Sequence, residues 1–95
     1  MDSLEAICRR LRSHFEARNQ AREKVLALSR EVVRTSANAI RHVHRNEIEA
    51  ARAILNEAGA AIKQIKEIAA DYGDILYAGY VHDAEKEYAE AACVL

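Results

Sequence analysis

The 95-residue chain is long enough for one small domain, and it holds no Pro, three Gly, four Tyr, one Phe and no Trp. Half of it is apolar and much of that is Ala, a helix-rich composition that excludes a strand-built fold. The net charge of -1 conceals an asymmetry: residues 1–45 carry ten Lys/Arg against five Asp/Glu, about +5, whereas residues 46–95 carry four against ten, about -6.

Residues 3–44 read as one long helix. Its apolar positions are Leu4, Cys8, Leu11, Phe15, Val25, Leu28, Val32, Ala39 and Val43, and their steps of three, four and seven describe a buried stripe. The stretch Arg18–Arg22 weakens that stripe. Ser3 is the expected N-cap, and Asp2 and Glu5 suit the positive end of the helix dipole. At the far end, His44 and Arg45 favour the negative end. Asn46 with Glu49 three residues on has the spacing of a capping box, so Asn46 is expected to cap the next helix.

A second helix is expected over 47–71, burying Ile48, Ala51, Leu55, Ala58, Ile62, Ile65 and Ala69. Gly59 interrupts it and would permit close helix approach. Tyr72-Gly73-Asp74 reads as a turn, with Gly73 just past the helix end and Asp74 capping the third helix. That third helix is expected over 76–95, packing through Val81, Ala84, Tyr88, Ala91 and Leu95. Its end, Ala91-Ala92-Cys93-Val94-Leu95, has no Gly, Pro or basic last turn. The missing stop signal predicts that the helix runs on in a longer protein. The fold class expected for 1–95 is therefore all-α: three long antiparallel helices forming a single helical domain that is part of a larger bundle.

Cys8 and Cys93 stand far apart, with no C-x-x-C spacing, so neither a redox nor a zinc motif is indicated. The pattern fits a reduced, cytoplasmic protein. No signal-peptide pattern and no apolar run of membrane-spanning length occurs, so no membrane association is expected. Apolar stripes on so short a chain predict a homo-oligomer.

Two polar stripes carry the functional signal. Arg30, Arg34, Arg41 and Arg45 are spaced four, seven and four, and fall within an arc of about 60° on the first helix. Guanidiniums so aligned can track a phosphate backbone, with His42 and His44 nearby as further donors. Asp83, Glu87 and Glu90, spaced four and three, share a similar arc on the third helix. Hard carboxylate oxygens in that register suit Mg²⁺ or Mn²⁺. Read from spacing alone, each stripe is equally an ordinary solvated helix face, and the two charged halves can simply attract one another.

Two segments resemble the translin superfamily. Arg22-Glu23-Lys24-Val25-Leu26-Ala27-Leu28-Ser29-Arg30-Glu31, continuing through Ala39-Ile40-Arg41 and His44-Arg45, is similar to that family's first long helix. Tyr77-Ala78-Gly79-Tyr80-Val81-His82-Asp83-Ala84, followed by Glu87-Tyr88-Ala89-Glu90-Ala91, resembles its A-G-Y-V-x-D-A-x-x-E-Y-x-E-A segment. The resemblance spans most of this chain but only about the first half of a family member. It implies an all-α protomer of an oligomer that binds single-stranded RNA or DNA and, in one branch, cuts RNA with Mg²⁺. Glu87 and Glu90 match the E-Y-x-E glutamates of that catalytic branch, and the implied further Asp belongs to a downstream helix that these 95 residues do not contain. His82 falls where family members carry basic residues that contact nucleic acid, and Asp83 belongs to the same motif. The expectation is a single-stranded nucleic-acid binder whose full-length form is a Mg²⁺-dependent endoribonuclease, this chain alone being inactive. A non-catalytic RNA or DNA clamp and a purely structural helical module are the alternatives.

Overall fold

The computed structural model describes residues 3–95, and among them the chain is all-α. The long helix α1 spans Ser3–His44, α2 Ile48–Ile68, the single-turn helix α3 Gly73–Leu76, and α4 Gly79–Val94, with a 3-10 turn at Ala69–Asp71 between α2 and α3. The expected third helix is α4, beginning at Gly79, and the expected turn at Tyr72-Gly73-Asp74 runs into a fourth, single-turn helix, α3. Ser3 lies within α1 rather than at its N-cap. Asp2, expected to favour the helix start, lies outside the described residues.

The core explains how the helices run. Val25 and Val32 of α1 share one buried cluster with Ala58, Ala61 and Ile65 of α2 and with Val81 and Ala84 of α4. Ala39, Leu55 and Ala91 form a second cluster further along α1. Positions therefore rise together in α1 and α4 but oppositely in α1 and α2. The result is an up-down-up arrangement of the long helices, with α2 antiparallel to α1 and α4, and α1 parallel to α4. Ile65, the largest of the fully buried side chains, anchors α2 against both partners. Truncating it to Ala would cost about 2–5 kcal/mol.

Close approach of three helices requires small residues at their seam. Ser29 and Ser36 fill that role on α1, both buried although neither belongs to the apolar stripe. Ser29 Oγ donates to the Val25 carbonyl at 2.8 Å, whereas the buried Ser36 Oγ has no partner. Gly59 acts in the same way on α2, because a Cβ there would stand 3.0 Å from Tyr88 Oη of α4.

The turns differ from the sequence expectation in ways that backbone hydrogen bonds explain. Asn46 does not cap α2; it ends α1. Its φ of 63° is left-handed, its N–H donates to Val43 O at 2.9 Å, and the Glu47 N–H donates to His42 O at 2.8 Å. This pair of bonds closes a Schellman motif, in which Asn is tolerated at the left-handed position. Glu47 is the N-cap residue of α2 and makes no side-chain cap bond, so no capping box forms. Likewise Gly73 is not a left-handed helix terminator, since no glycine has positive φ. The end of α2 tightens into the 3-10 turn, the Tyr72 N–H satisfies Ala69 O at 2.9 Å, and Gly73 simply opens α3. Ile75 of α3, 2% exposed, plugs the end of the bundle. Asp74 does not cap α3; its carboxylate pairs with Arg18 of α1.

The expected stripe of α1 is buried only in its second half. Leu4, Leu11 and Phe15 are 73%, 51% and 58% exposed, and Cys8 is exposed as well. At 1.5 Å per residue α1 is about 63 Å long and α2 about 31 Å, so α1 overhangs the bundle in a molecule 69 Å long and 18 Å wide. The Arg18–Asp74 pair marks where the overhang begins.

Candidate nucleic-acid interface

The arginine row follows from helix geometry. The buried face of α1 is set by Val25, Val32, Ser36 and Ala39. Relative to it, Arg30, Arg34 and Arg41 fall about 140–180° around the helix, on the side turned away from the core, and Arg45 follows in the turn that ends α1. All four are exposed. The described residues form three ion pairs: Arg9–Glu5 within α1, Arg18–Asp74, and His42–Glu47. None involves the row, so Glu31, three residues before Arg34, does not neutralise it. The row spans 15 residues, or about 22 Å of helix.

The flanking histidines separate. His44 is exposed, whereas His42 Nδ1 is buried in the α1–α2 turn, 3.4 Å from Glu47 Oε1 but without hydrogen-bond geometry. His42 belongs to the turn rather than to the arginine row. His82, near the start of α4, is exposed.

The acidic row lies on α4. Asp83 and Glu90 are exposed and Glu87 is half-buried. Because α4 runs parallel to α1 with Ala84 near Val32 and Ala91 near Ala39, Glu87 and Glu90 sit level with the stretch of α1 that carries Arg34. Arg30 and Asp83 meet at the groove between α1 and α4, whereas the rest of the arginine row turns away from the core. One point on that groove is a shallow cavity of about 270 Å³ lined by Leu26, Ser29, Arg30, Val33, Tyr80 and Asp83. Arg30 and Asp83 share this cavity without forming an ion pair. Mutual attraction of the two halves is realised as a direct contact between Arg18 and Asp74, not between the two rows.

Among the described residues, no group of three or more His, Cys, Asp and Glu side chains is placed to hold a metal ion. Glu87 and Glu90 offer carboxylates one turn apart, and Asp83 faces the Arg30 cavity. Magnesium takes one or two protein carboxylates together with water and phosphate oxygens, so the glutamate pair fits part of such a donor set. Further donors would have to come from a bound strand, solvent or another polypeptide.

Family models, curated proteins and solved structures give no match to this chain. Two segments, Arg22–Arg45 and Tyr77–Ala91, carry the charged rows. The first supplies the arginine row and the second supplies the acidic row, on neighbouring parallel helices. No helix among the described residues is long and apolar enough to cross a membrane.

Sequence reasoning missed Tyr80. It lines the shallow cavity with Leu26, Val33 and Arg30, at one end of the arginine row. Its spacing from Asp83, three residues, put both on neighbouring turns of one helix. Nothing in the spacing could say that α1 and not α2 would lie beside them.

Proposed function

We propose that this chain binds single-stranded nucleic acid along the exposed arginine row of α1, which meets α4 at Arg30. The observation that carries the reading is the row Arg30, Arg34, Arg41 and Arg45: three exposed guanidiniums on one face of α1 and a fourth in the turn that follows, with no ion-pair partner among the described residues. Unpaired arginines attract phosphates without first breaking a salt bridge, and their fork geometry matches phosphate oxygens. Tyr80, in one cavity with Arg30, offers a face on which a base can stack while its phosphate is held. His82 lies on the exposed surface at the start of α4 and extends the polar contact.

Glu87 and Glu90 lie on α4, the helix that meets the arginine row at Arg30, and unscreened carboxylates near a bound strand would repel it. A divalent cation between glutamates and phosphates relieves that repulsion. Mg²⁺ or Mn²⁺ so held would also neutralise phosphoryl charge and activate water, which is the chemistry of a metal-dependent endoribonuclease. Glu87 and Glu90 are the residues that would hold the ion, with Asp83 a further carboxylate on the same helix face. Because the described residues include no third converging donor, strand binding without cleavage is the activity proposed for these 95 residues, and cleavage is proposed for a longer chain that adds donors.

The test is fluorescence anisotropy with a labelled single-stranded RNA, using the chain and a variant with all four arginines of the row replaced by Gln. Binding at about 0.15 M salt that the variant loses is expected. Equal binding by both proteins, or none by either, would overturn the proposal. Incubation of the RNA with Mn²⁺ and either the protein or Glu87→Gln reports separately on cleavage. A cut made equally by both would remove Glu87 from the chemistry.

A further inference from the structure

The overhanging part of α1 carries an apolar seam that its own bundle does not cover. Positions 4, 8, 11, 15, 18, 22, 25, 29, 32, 36, 39 and 43 alternate steps of four and three without a break, the heptad pattern of a coiled-coil seam. In the bundle that seam is narrow-sided and buried, through Val25, Ser29, Val32, Ser36 and Ala39, because two helices press on it. In the overhang it reads Leu4, Cys8, Leu11 and Phe15, larger side chains suited to a single facing helix, with Ile7 beside them 45% exposed. The two halves meet at Arg18 and Arg22. Arg18 is tied to Asp74 of α3, so the chain's own short helices stop there and cannot reach Leu11 or Leu4. No other segment among the described residues reaches the seam.

We propose that the overhang pairs with the overhang of a second copy of this chain, antiparallel, as a two-stranded coiled coil about a two-fold axis. Charge selects both partner and direction. Glu5 and Arg12 flank the seam on the same side, seven residues apart. Antiparallel pairing sets Leu4 against the partner's Phe15 and Cys8 against the partner's Leu11. It also brings Glu5 beside the partner's Arg12, and two-fold symmetry repeats that ion pair. A parallel pair would place Arg12 beside Ile7 and form neither. In the lone chain Glu5 reaches only the exposed Arg9, at 4.0 Å, a contact of little worth. Four layers over about 17 Å make a small interface, so the dimer is weak and concentration-dependent. The overhang lies apart from Arg30–Arg45, so this pairing stands independently of nucleic-acid binding.

Sedimentation equilibrium from about 1 to 300 µM tests it, with affinity differences read as fold-changes in the dissociation constant. A monomer–dimer equilibrium is expected for the chain. Phe15→Glu should weaken it by at least about tenfold. Glu5→Arg should weaken it, and Glu5→Arg combined with Arg12→Glu should restore it. In a Cys93→Ser background, a short bismaleimide should link Cys8 to the partner's Cys8, which lie on adjacent layers. The overhang touches nothing in the bundle, so helicity and melting of the variants should match the parent and a failure to fold is not a confounder. A monomer throughout the range, a dimer that survives Phe15→Glu, or a charge swap that does not restore pairing would each overturn the proposal. So would an overhang that binds vesicles of anionic lipid while the protein stays monomeric.

Discussion

The arginine row makes a quantitative claim about salt. If Arg30, Arg34, Arg41 and Arg45 each neutralise one phosphate of a single strand, the slope of log K against log salt is about -0.7 per contact, or about -2.8 in total. Raising salt from 50 to 200 mM should then weaken binding about 50-fold. Replacing Arg34 and Arg41 together with Gln removes two contacts, halves the slope to about -1.4, and leaves a loss of only about sevenfold over the same range. Stability should hardly change, because both side chains are exposed and unpaired; surface changes of this kind stay within about 0.5 kcal/mol. A second variant, Arg52→Gln with Lys63→Gln, removes the same charge from exposed positions of α2. It should leave the slope at its parent value. The assay is anisotropy of a labelled oligonucleotide titrated at four or more salt concentrations. A parent slope near zero refutes the reasoning. So does a double variant at Arg34 and Arg41 whose slope matches that of the α2 control, since binding would then depend on net charge rather than on the row.

Three further outcomes are expected. Ser36→Ala removes a fully buried hydroxyl that has no partner and should raise stability by about 1–3 kcal/mol. Ser29→Ala, which loses the 2.8 Å bond to Val25 O, should gain less or lose slightly; urea melts of the two give the comparison, and a destabilised Ser36→Ala would mean that the hydroxyl has found a partner. Asn46→Val forces a β-branched residue into φ 63° and should cost about 1–2 kcal/mol, whereas Asn46→Gly should be neutral or stabilising; equal melting of both would show that the turn does not need the left-handed conformation. Finally, Glu87→Gln with Glu90→Gln should strengthen RNA binding in EDTA about fourfold, the effect of two unit charges roughly one helix spacing, or about 10 Å, from the row in water. The same variant should lose any gain that Mg²⁺ gives the parent, and identical Mg²⁺ titrations of parent and variant would remove both glutamates from cation binding.

The sequence by itself determined the helices and the rows. Helix periodicity depends on local spacing, so α1, most of α2 and the buried set Val25, Val32, Ala51, Leu55, Ala58, Ile65, Val81 and Ala84 were legible. The angular placement of Arg30, Arg34 and Arg41 opposite the core was legible for the same reason. Tertiary structure decided what periodicity cannot express. Asn46 and Gly73 exchanged their expected roles because the turns were closed by specific carbonyls, Val43 and His42 in one and Ala69 in the other. Ser29 and Ser36 were buried because three helix backbones meet there, although hydroxyls carry no hydrophobic signal. Leu4, Leu11 and Phe15 lie on the same seam as Val25 and Val32, yet they stay exposed, since α2 and α4 are too short to reach them. Above all, it was the parallel register of α1 and α4, an outcome of core packing between distant segments, that laid the acidic helix against the arginine-bearing one and placed Tyr80 and Asp83 in one cavity with Arg30.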